Sequence, residues 1–384
     1  MESSHISVDD HFPIEELFHA YYDARKNKRN TSSQLRFELH LEENLVALYR
    51  DLVSRKYSIG TSICFNINDS VQREVFAADF RDRIVHHFLY NRLSPIFEKK
   101  FIYDSYSCRV GKGTLFGVRR LQHHIRSCSQ NYSRDCYILK LDLSGYFMNI
   151  DRLILFSMIE RFLPKNMPQR EFILWLTNEI VMYEPVVNCH IKGNLSDWDG
   201  LPHEKSLFYA GDYKGMPIGN LTSQLFSNIY LNGFDNWVKR CLKLKHYGRY
   251  VDDFYVIDSS SKRLLGLIPV LSEFLKEQLG LTLHPRKMYL QHYSKGVRFL
   301  GCVVLPYRIV PASRMKRRML AVFADSNLGI LSPNMIRAKL NSYLGLMRHM
   351  SSQNFVRKQI GKVVVPYIHG YFFLSGNQCR YVLI

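Results

Sequence analysis

A pair of adjacent aspartates inside an apolar segment constrains the fold of this chain most strongly. Asp252 and Asp253 lie within RYVDDFYVI, and residues 247–258 place short apolar runs on both sides of this acidic centre, as a β-hairpin does. Two neighbouring carboxylates at a hairpin tip repel each other and are desolvated unless a cation neutralises them. This element alone fits a solvated turn between two strands equally well.

A second carboxylate, Asp142, ends the apolar segment 137–142, which predicts a strand followed by a Ser-Gly break. Alone, such a residue is usually a helix cap. If Asp142 lies beside Asp252 and Asp253, the three carboxylates can hold two Mg²⁺ ions, which accept one or two carboxylates each and complete their shells with phosphate and water. Two such ions bracket an in-line displacement at phosphorus.

The segment 214–224, KGMPIGNLTSQ, predicts a glycine-containing loop that opens a helix. Gly215 and Gly219 allow close approach of the backbone, and the helix N-terminus offers free N–H groups to a phosphate or a base pair. By itself the segment is better explained as an ordinary helix start, with Pro217 and Thr222 as start signals.

The charge of the chain is strongly basic and unevenly distributed. Lys and Arg number 52 against 34 Asp and Glu, a formal net charge of +18, which points to a polyanionic partner such as nucleic acid or an acidic membrane face. Ordinary soluble basic proteins also carry such an excess. Residues 306–384 contain twelve Lys or Arg and one acid, Asp325, so the basic surface is concentrated in the last fifth of the chain.

The cysteines and histidines do not suggest a metal site. The eight cysteines form no C-x-x-C pair, which favours buried free thiols over zinc, and the pairs His86-His87 and His123-His124 lie on amphipathic helices without a third ligand. The N-terminus has no apolar run typical of a signal peptide, and no stretch of 18 uncharged apolar residues predicts a membrane span. We therefore expect a soluble protein of a reducing compartment, with no membrane association.

Hydrophobic periodicity predicts an α+β protein with a basic, helical C-terminal unit and a helical tail. Residues 183–214 predict a long loop or an irregular insertion, and Pro269 predicts a kink or a late start in its helix. The predicted helices are two within residues 14–57, the second over 33–56, then 84–98, 151–162, 168–182, 221–243 and 262–279, and an apolar helical stripe at residues 336–347. The predicted strands are 137–142, 281–283, 287–291, 297–304 and 307–310.

Several segments, in this order, resemble the motifs of reverse transcriptases. The palm motifs are matched by KLDLSGYF, GMPIGNLTSQLFSNIYLN, YVDDF and VRFLG, the fingers by REVFAADFRDRIVHH and YDSYSCRVGKGT, and the thumb by LNSYLGLMRHM. The resemblance covers residues 35–360 and implies a right-hand polymerase with fingers, a ferredoxin-like palm and a helical thumb. The implied domains are an N-terminal helical segment 1–57, fingers 58–135, a palm 136–305 with the insertion 183–214, and a basic helical thumb with the C-terminal tail 306–384.

One motif narrows the resemblance to a subfamily. Most reverse transcriptases have Gln-Gly at the start of the third palm motif and Ser-Pro at its end, whereas this chain has Ile218-Gly219 and Ser223-Gln224. This form is typical of diversity-generating retroelements, and residues 205–208, KSLF, also resemble that group. Retron and group II intron enzymes are related but usually keep the Gln.

The resemblance assigns roles to matched residues. Asp142 and Asp252 match the metal-bridging aspartates, with Asp253 beside them, so these three are the catalytic and metal-binding candidates. The nucleotide-binding candidates are Arg73, Phe147, Ile218, Gly219, Gln224 and Lys287. Arg73 would grip the triphosphate and Phe147 would stack under the sugar, although simple core packing also explains Phe147; the fingertip lysine of the family is absent, since that position is Ile67. The template and primer candidates are Arg109, Lys112, Phe299, Leu300 and Gly301.

The implied reaction is RNA-templated addition of deoxynucleotides to a primer with two Mg²⁺ ions, for which Mn²⁺ can substitute. The partners implied are a template-repeat RNA, the primer or cDNA strand, dNTPs and a small, basic, oligomeric accessory variability protein, in the cytoplasm of a bacterium or encoded by a phage. Ile218 is associated by resemblance with errors opposite template adenine. We expect no RNase H or endonuclease domain, because the chain ends soon after the thumb.

Two alternatives stay open. A retron-like or defence-associated reverse transcriptase would make a different product from the same active site. A non-catalytic RNA-binding protein would keep the palm only as a scaffold.

Overall fold

The computed structural model of the protein describes residues 11–26, 30–68, 72–327, 330–360, 370–375 and 378–383. The helices are α1 Ile14–Arg25, α2 Ser32–Glu38, α3 Leu41–Val53, α4 Phe80–Glu98, α5 Thr114–Cys128, α6 Tyr146–Asn149, α7 Arg152–Phe162, α8 Arg170–Met182, α9 Leu221–Arg240, α10 Ser261–Leu279, α11 Ser313–Asn327, α12 Pro333–Met347 and α13 Gln353–Ile360. The strands are β1 Ser62–Ile67, β2 Arg73–Ala77, β3 Tyr137–Asp142, β4 Cys189–Ile191, β5 His246–Tyr250, β6 Asp253–Asp258, β7 Tyr289–His292, β8 Val297–Phe299, β9 Cys302–Leu305, β10 Arg308–Pro311, β11 Gly370–Ser375 and β12 Gln378–Leu383.

A four-stranded antiparallel sheet in the order β5-β6-β3-β7 forms the centre of the predicted palm. Side chains alternate between its two faces, because successive residues of a strand point to opposite sides. Leu139 of β3 packs with helices α9 and α10, whereas its neighbour Ile138 packs with α5 and the strands β8 and β9. Both faces are therefore buried, which explains why the strand segments of the sequence are apolar throughout.

A second sheet, in the order β2-β1-β4, combines the predicted fingers with the predicted insertion. β4 pairs in parallel with β1, with Ser62 opposite Cys189, so residues 183–214 form an irregular insertion that adds one short strand to this sheet. The buried Glu74 of β2 accepts hydrogen bonds from Trp198 Nε1, Ser206 Oγ and Leu207 N at 2.8, 2.8 and 2.7 Å. A three-residue strand is too short to show alternation, so this pairing leaves no sequence signal.

Other predicted elements differ in detail. The helix predicted over 33–56 is divided into α2 and α3, the segment 281–283 forms only a single bridge from Leu283 to Leu143, and the strand predicted over 297–304 is divided into β8 and β9. α10 contains Pro269 without a late start.

The C-terminal region has a core of its own. Met319 of α11 packs with Leu340 and Leu344 of α12, as the apolar stripe of the sequence predicts. The helical stripe predicted at residues 336–347 is α12, and farther along the chain β11 and β12 form an antiparallel hairpin that the sequence did not predict. No helix within the described ranges is long and apolar enough to cross a membrane.

Candidate active site

The sheet brings the three aspartates together. Asp142, the last residue of β3, lies directly opposite Asp253, the first residue of β6, in the antiparallel register. Tyr250 pairs with Asp253, so Val251 and Asp252 form the two-residue turn between β5 and β6. The carboxylate cluster expected from the two sequence elements therefore forms at one end of the central sheet.

Burial and mutual repulsion act on the carboxyl groups of this cluster. Burial, followed by the charge of Asp142, raises the pKa of Asp252 to about 6. Burial also raises the pKa of Asp253, although Lys140 opposes this shift. Lys140 Nζ lies 3.2 Å from Asp253 Oδ2, and Lys287 Nζ lies 2.7 Å from Asp142 Oδ1. The cluster thus needs positive charge, and two ammonium groups supply part of it.

The donor set fits magnesium, although no group of three or more His, Cys, Asp or Glu in the described residues forms a metal-binding cluster as it stands. Carboxylate oxygens are the protein ligands that Mg²⁺ prefers. Two of these carboxylates contact lysine ammonium groups, and Asp252 is desolvated enough to raise its pKa. Asp142, Asp252 and Asp253 are the residues that would hold the metal.

A buried arginine holds the turn that carries Asp252. Arg249 Nη1 donates to Val251 O at 2.8 Å, and its Nη2 and Nε donate to Asp235 Oδ2 and Oδ1 at 2.6 and 2.8 Å. Arg249 and Asp235 are both fully buried, and Tyr247 OH also donates to Asp235. The motif reasoning missed this pair. The sequence signal for such a pair was Arg249 itself, a charged residue in a strand that is otherwise mostly apolar, because a buried charge requires a partner.

The same arginine joins the turn to the segment 102–107. Its backbone N–H donates to Asp104 O, and its carbonyl accepts from Tyr106 N, both at 2.9 Å. Asn228 Nδ2 of α9 donates to Ser107 O at 2.9 Å. The YDSYSC segment is therefore fixed against β5 and α9, which ties the predicted fingers to the acidic turn.

The loop 214–220 lies between α6 and β2. Phe147 O of α6 accepts from Met216 N, and Ile218 O accepts from Phe76 N, both at 2.8 Å. Gly219 has φ 131°, and a Cβ atom there would lie 2.7 Å from Phe76 O, so the residue must be glycine. The structure thus brings Phe147, Ile218 and Gly219 together beside the strand that begins with Arg73.

The remaining nucleotide-binding candidates are Arg73, Gln224 and Lys287. Arg73 is exposed at the start of β2, and Gln224 is exposed in the first turn and a half of α9. Lys287, in the loop before β7, reaches the cluster through its contact with Asp142. The nucleotide contacts of these residues stay predictions.

Two of the template candidates already have partners within the protein. Arg109 donates to both oxygens of Glu98 and to the carbonyls of Ile102 and Ser105, and only 5% of its side chain is exposed. Lys112 Nζ donates to Tyr103 O, and burial lowers its pKa to about 8. The guanidinium of Arg109 thus fixes the segment 98–109, a structural role that the sequence did not indicate.

The predicted primer-grip residues form a tight hairpin turn. Phe299 pairs with Cys302, and the two residues between them, Leu300 and Gly301, have φ angles of 47° and 80°, the signs of a type I′ turn. Phe299 is buried against the central sheet, and Lys140 Nζ lies 5.4 Å from the centre of its ring. Lys140 therefore contacts both this hairpin and Asp253.

One histidine of each pair, His86 and His124, forms buried hydrogen bonds. His86 Nδ1 is 2.8 Å from Thr222 Oγ1, and His124 Nδ1 is 3.0 Å from Tyr255 OH. Both side chains are buried, and burial lowers their pKa values, to about 3 for His86.

The model of the family described as reverse transcriptase (RNA-dependent DNA polymerase) matches residues 70–304. The chain belongs to the reverse transcriptase family. The matched range contains all three aspartates, and the fold is the right-hand polymerase fold of mixed helix and sheet that the sequence predicts. The division into domains stays a prediction.

Individual relatives of this reverse transcriptase are distant. Protein YkfC of Escherichia coli (strain K12) is 25% identical over 311 residues, which cover 72% of this chain and 73% of YkfC. Telomerase from Candida albicans, solved with a TWJ fragment of telomeric RNA, has a TM-score of 0.48 at 12% identity over 86% of this chain and 60% of the telomerase chain. Apo telomerase from Candida tropicalis has a TM-score of 0.49 at 13% identity, over 78% and 59%. This chain spans about 60% of the length of those telomerase chains.

Proposed function

We propose that this chain is the RNA-directed DNA polymerase of a diversity-generating retroelement. The observation that carries the polymerase assignment is the register of β3 and β6, which sets Asp142 opposite Asp253 beside the Asp252 turn. Family membership supports the same activity. Divalent ions bound there, Mg²⁺ or in its place Mn²⁺, supply charge neutralisation at the reacting phosphate and activation of the primer 3′ hydroxyl.

The residues of the chain would act in binding and positioning. Arg73 would hold the triphosphate of the incoming dNTP through its guanidinium fork. Phe147 and Ile218, joined through the loop 214–220, would border the sugar and the nascent base pair. Lys140 and Lys287 would pair with Asp253 and Asp142 before the nucleic acid arrives.

Asp252→Asn tests the polymerase assignment. The substitution keeps the shape of the side chain and removes its charge, so we expect primer extension on an RNA template with Mg²⁺ to fall at least 100-fold while RNA binding is retained. Asp258→Asn, at the far end of β6, is the matched control and should extend primers normally. Full extension by Asp252→Asn would leave a non-catalytic RNA-binding protein as the better interpretation.

Ile218 supports the assignment to diversity-generating retroelements, with a template-repeat RNA as the template and cDNA mutated at adenines as the product. Its apolar side chain packs against Phe76 and Met148, where relatives place an amide donor. One lost hydrogen bond worth about 1.4 kcal/mol changes discrimination roughly tenfold. Ile218→Gln should therefore lower errors opposite template adenine several-fold.

Sequencing of cDNA made on one defined RNA template measures this effect, with errors opposite the other three bases as the internal control. Unchanged errors at adenine would contradict the role of Ile218. Faithful cDNA from the unaltered chain would favour a retron-like or defence-associated enzyme. Copurification of a small, basic, oligomeric accessory protein encoded beside the chain would support the retroelement.

A further inference from the structure

Three tyrosine rings, of which Tyr132 and Tyr293 are half-buried, lie together where the sheet of order β10-β9-β8 meets the loop after α5. Tyr132 lies 4.5 Å from Tyr307 and 5.6 Å from Tyr293, measured between ring centres. Tyr293 OH donates to the backbone carbonyl of Tyr132 at 2.9 Å, which fixes the Tyr293 side chain to the backbone of Tyr132. Tyr307 is 74% exposed. We call these three residues the tyrosine patch.

Two of the three tyrosines occupy backbone conformations that favour glycine. Tyr307 has φ 62° and follows Pro306 in the two-residue turn between β9 and β10. Glycine is the usual residue at the second position of such a turn. Tyr132 has φ 67° and ends three successive residues with positive φ. Strained conformations of this kind concentrate at functional sites.

Exposed cations surround the patch. Arg134, Lys295 and Arg308 each lie within two residues of one of its tyrosines, and all three are exposed. Among the described residues, none of them forms an ion pair. The acid in this region is Asp135, whose Oδ1 lies 3.4 Å from His292 Nε2. The surface therefore combines net positive charge with an exposed aromatic face.

The patch is separate from the acidic cluster. The turn at Pro306–Tyr307 and the turn at Leu300–Gly301 lie at opposite ends of β9. A strand rise of about 3.4 Å per residue sets the two turns roughly 17 Å apart. A ligand on the patch would therefore not occupy the place of the reacting nucleotide.

We propose that the tyrosine patch binds single-stranded RNA outside the catalytic cleft. Unpaired bases stack on tyrosine rings, and neighbouring cations attract the phosphates, which is how proteins bind single strands without reading their sequence. The exposed ring of Tyr307 would accept a base, and Arg308, Lys295 and Arg134 would contact the backbone of the strand. The inference rests on the proposed function only in naming the polymer as RNA.

Tyr307→Gly tests this proposal, because it removes the ring and also relieves the strained backbone. The cleft of the full chain is first saturated with a primed RNA template, and binding of a fluorescent uridine dodecamer is then measured by anisotropy. We expect about tenfold weaker binding, the size of one lost base–aromatic stack, together with an unchanged or raised melting temperature. Tyr307→Phe keeps the ring and should bind normally. Tyr22→Ala removes an exposed tyrosine of α1 and serves as the control.

A purely structural role for Tyr307 predicts normal binding by Tyr307→Gly, and that result would overturn the proposal. Normal binding with an altered elution volume on gel filtration would also overturn it, in favour of a protein interface. Crosslinks from a 4-thiouridine dodecamer should map to residues 132 and 307 in the unaltered chain. Primer extension by Tyr307→Gly should be unaffected on a short template, so failure of the patch and failure of the polymerase assignment give different results.

Discussion

A single guanidinium determines where Asp252 lies. Arg249 is fully buried, forms a bidentate pair with Asp235 of α9 and donates to the carbonyl of Val251 in the acidic turn. Val251 has φ 55°, an unfavourable angle for a β-branched residue, so the turn depends on outside contacts to keep its shape. Arg249 is therefore a positioning residue, which acts on the reaction through the turn.

Arg249→Lys should reduce kcat much more than it changes the KM for dNTP. A lysine keeps the charge but cannot donate to Asp235 and Val251 together in the geometry of the guanidinium. We expect at least a tenfold loss in kcat, a higher Mg²⁺ concentration for half-maximal rate, and a loss of about 3 kcal/mol in the free energy of unfolding. Steady-state primer extension and denaturant unfolding measure these effects.

Arg263→Lys is the matched control for this substitution. Arg263 forms an exposed pair with Asp258, at the other end of β6, and exposed pairs contribute about 0–1 kcal/mol. A variant Arg249→Lys with normal kcat and normal Mg²⁺ dependence would show that the turn keeps its shape without the guanidinium.

The aspartates could be predicted from the sequence and the arginine pair could not. Asp142, Asp252 and Asp253 lie in local motifs whose chemistry is visible in the residues themselves. Asp235 lies on a helix and Arg249 on a strand, and they meet only because α9 packs under the central sheet. The internal partners of Arg109 could not be predicted either, because the sequence of a basic motif does not indicate which carbonyl groups its arginine will contact in the fold.

At the scale of elements, the loop 214–220 connects β2 to the central sheet. Its carbonyl at Ile218 accepts from Phe76, and Gly219 passes so close to β2 that a side chain would collide with backbone. Sequence reasoning predicted the glycine requirement and the following helix. It could not predict that β2 is the element approached, because the two segments are more than 130 residues apart.

Gly219→Ala should destabilise the protein and weaken dNTP binding. A Cβ atom would lie 2.7 Å from Phe76 O, and φ 131° is strained for alanine, so we expect a loss of about 1–3 kcal/mol in the free energy of unfolding. Gly233→Ala, in the interior of α9, has no atom within 4 Å of the new Cβ and should instead gain about 0.5–1 kcal/mol. Thermal unfolding of both variants measures the contrast. Equal stability of the two would contradict the close approach.

Over the whole molecule, the concentration of basic residues and the carboxylate cluster lie in different parts of the chain. The last 79 residues hold twelve basic groups, whereas the carboxylates of the cluster lie in the central sheet.

Buried histidines add a pH dependence to the fold as a whole. Burial lowers the pKa values of His86 and His124, and partial burial that of His87, from the usual value near 6.5, so these side chains are neutral in the folded protein at pH 7.

The contribution of His86 to stability should disappear as the pH falls. Its folded pKa of about 3 lies below its unfolded value, so the contribution is complete above about pH 6.5 and is lost between pH 6.5 and 3, by about 1.4 kcal/mol per pH unit. The raised pKa of Asp252 acts in the opposite direction, so the useful quantity is a difference between variants.

His86→Gln, which does not titrate, should show a smaller decline in the free energy of unfolding between pH 6.5 and 4.5 than the unaltered protein does. Denaturant unfolding at several pH values measures that slope. The exposed His123→Gln is the control and should keep the full decline. Equal slopes for all three proteins would mean that His86 titrates normally in the folded state.

The hydrogen bonds of Glu74 make the insertion and the predicted fingers a single unit. Three donors from residues 198–207 converge on the buried carboxylate of Glu74, which directly follows Arg73 in the chain. If the insertion were shortened to a simple turn, a carboxylate would remain below the surface with no donors, and water or a proton would have to replace them. Residues 183–214 are far from the acidic turn in sequence, yet the strand that presents Arg73 could not keep its present form without them.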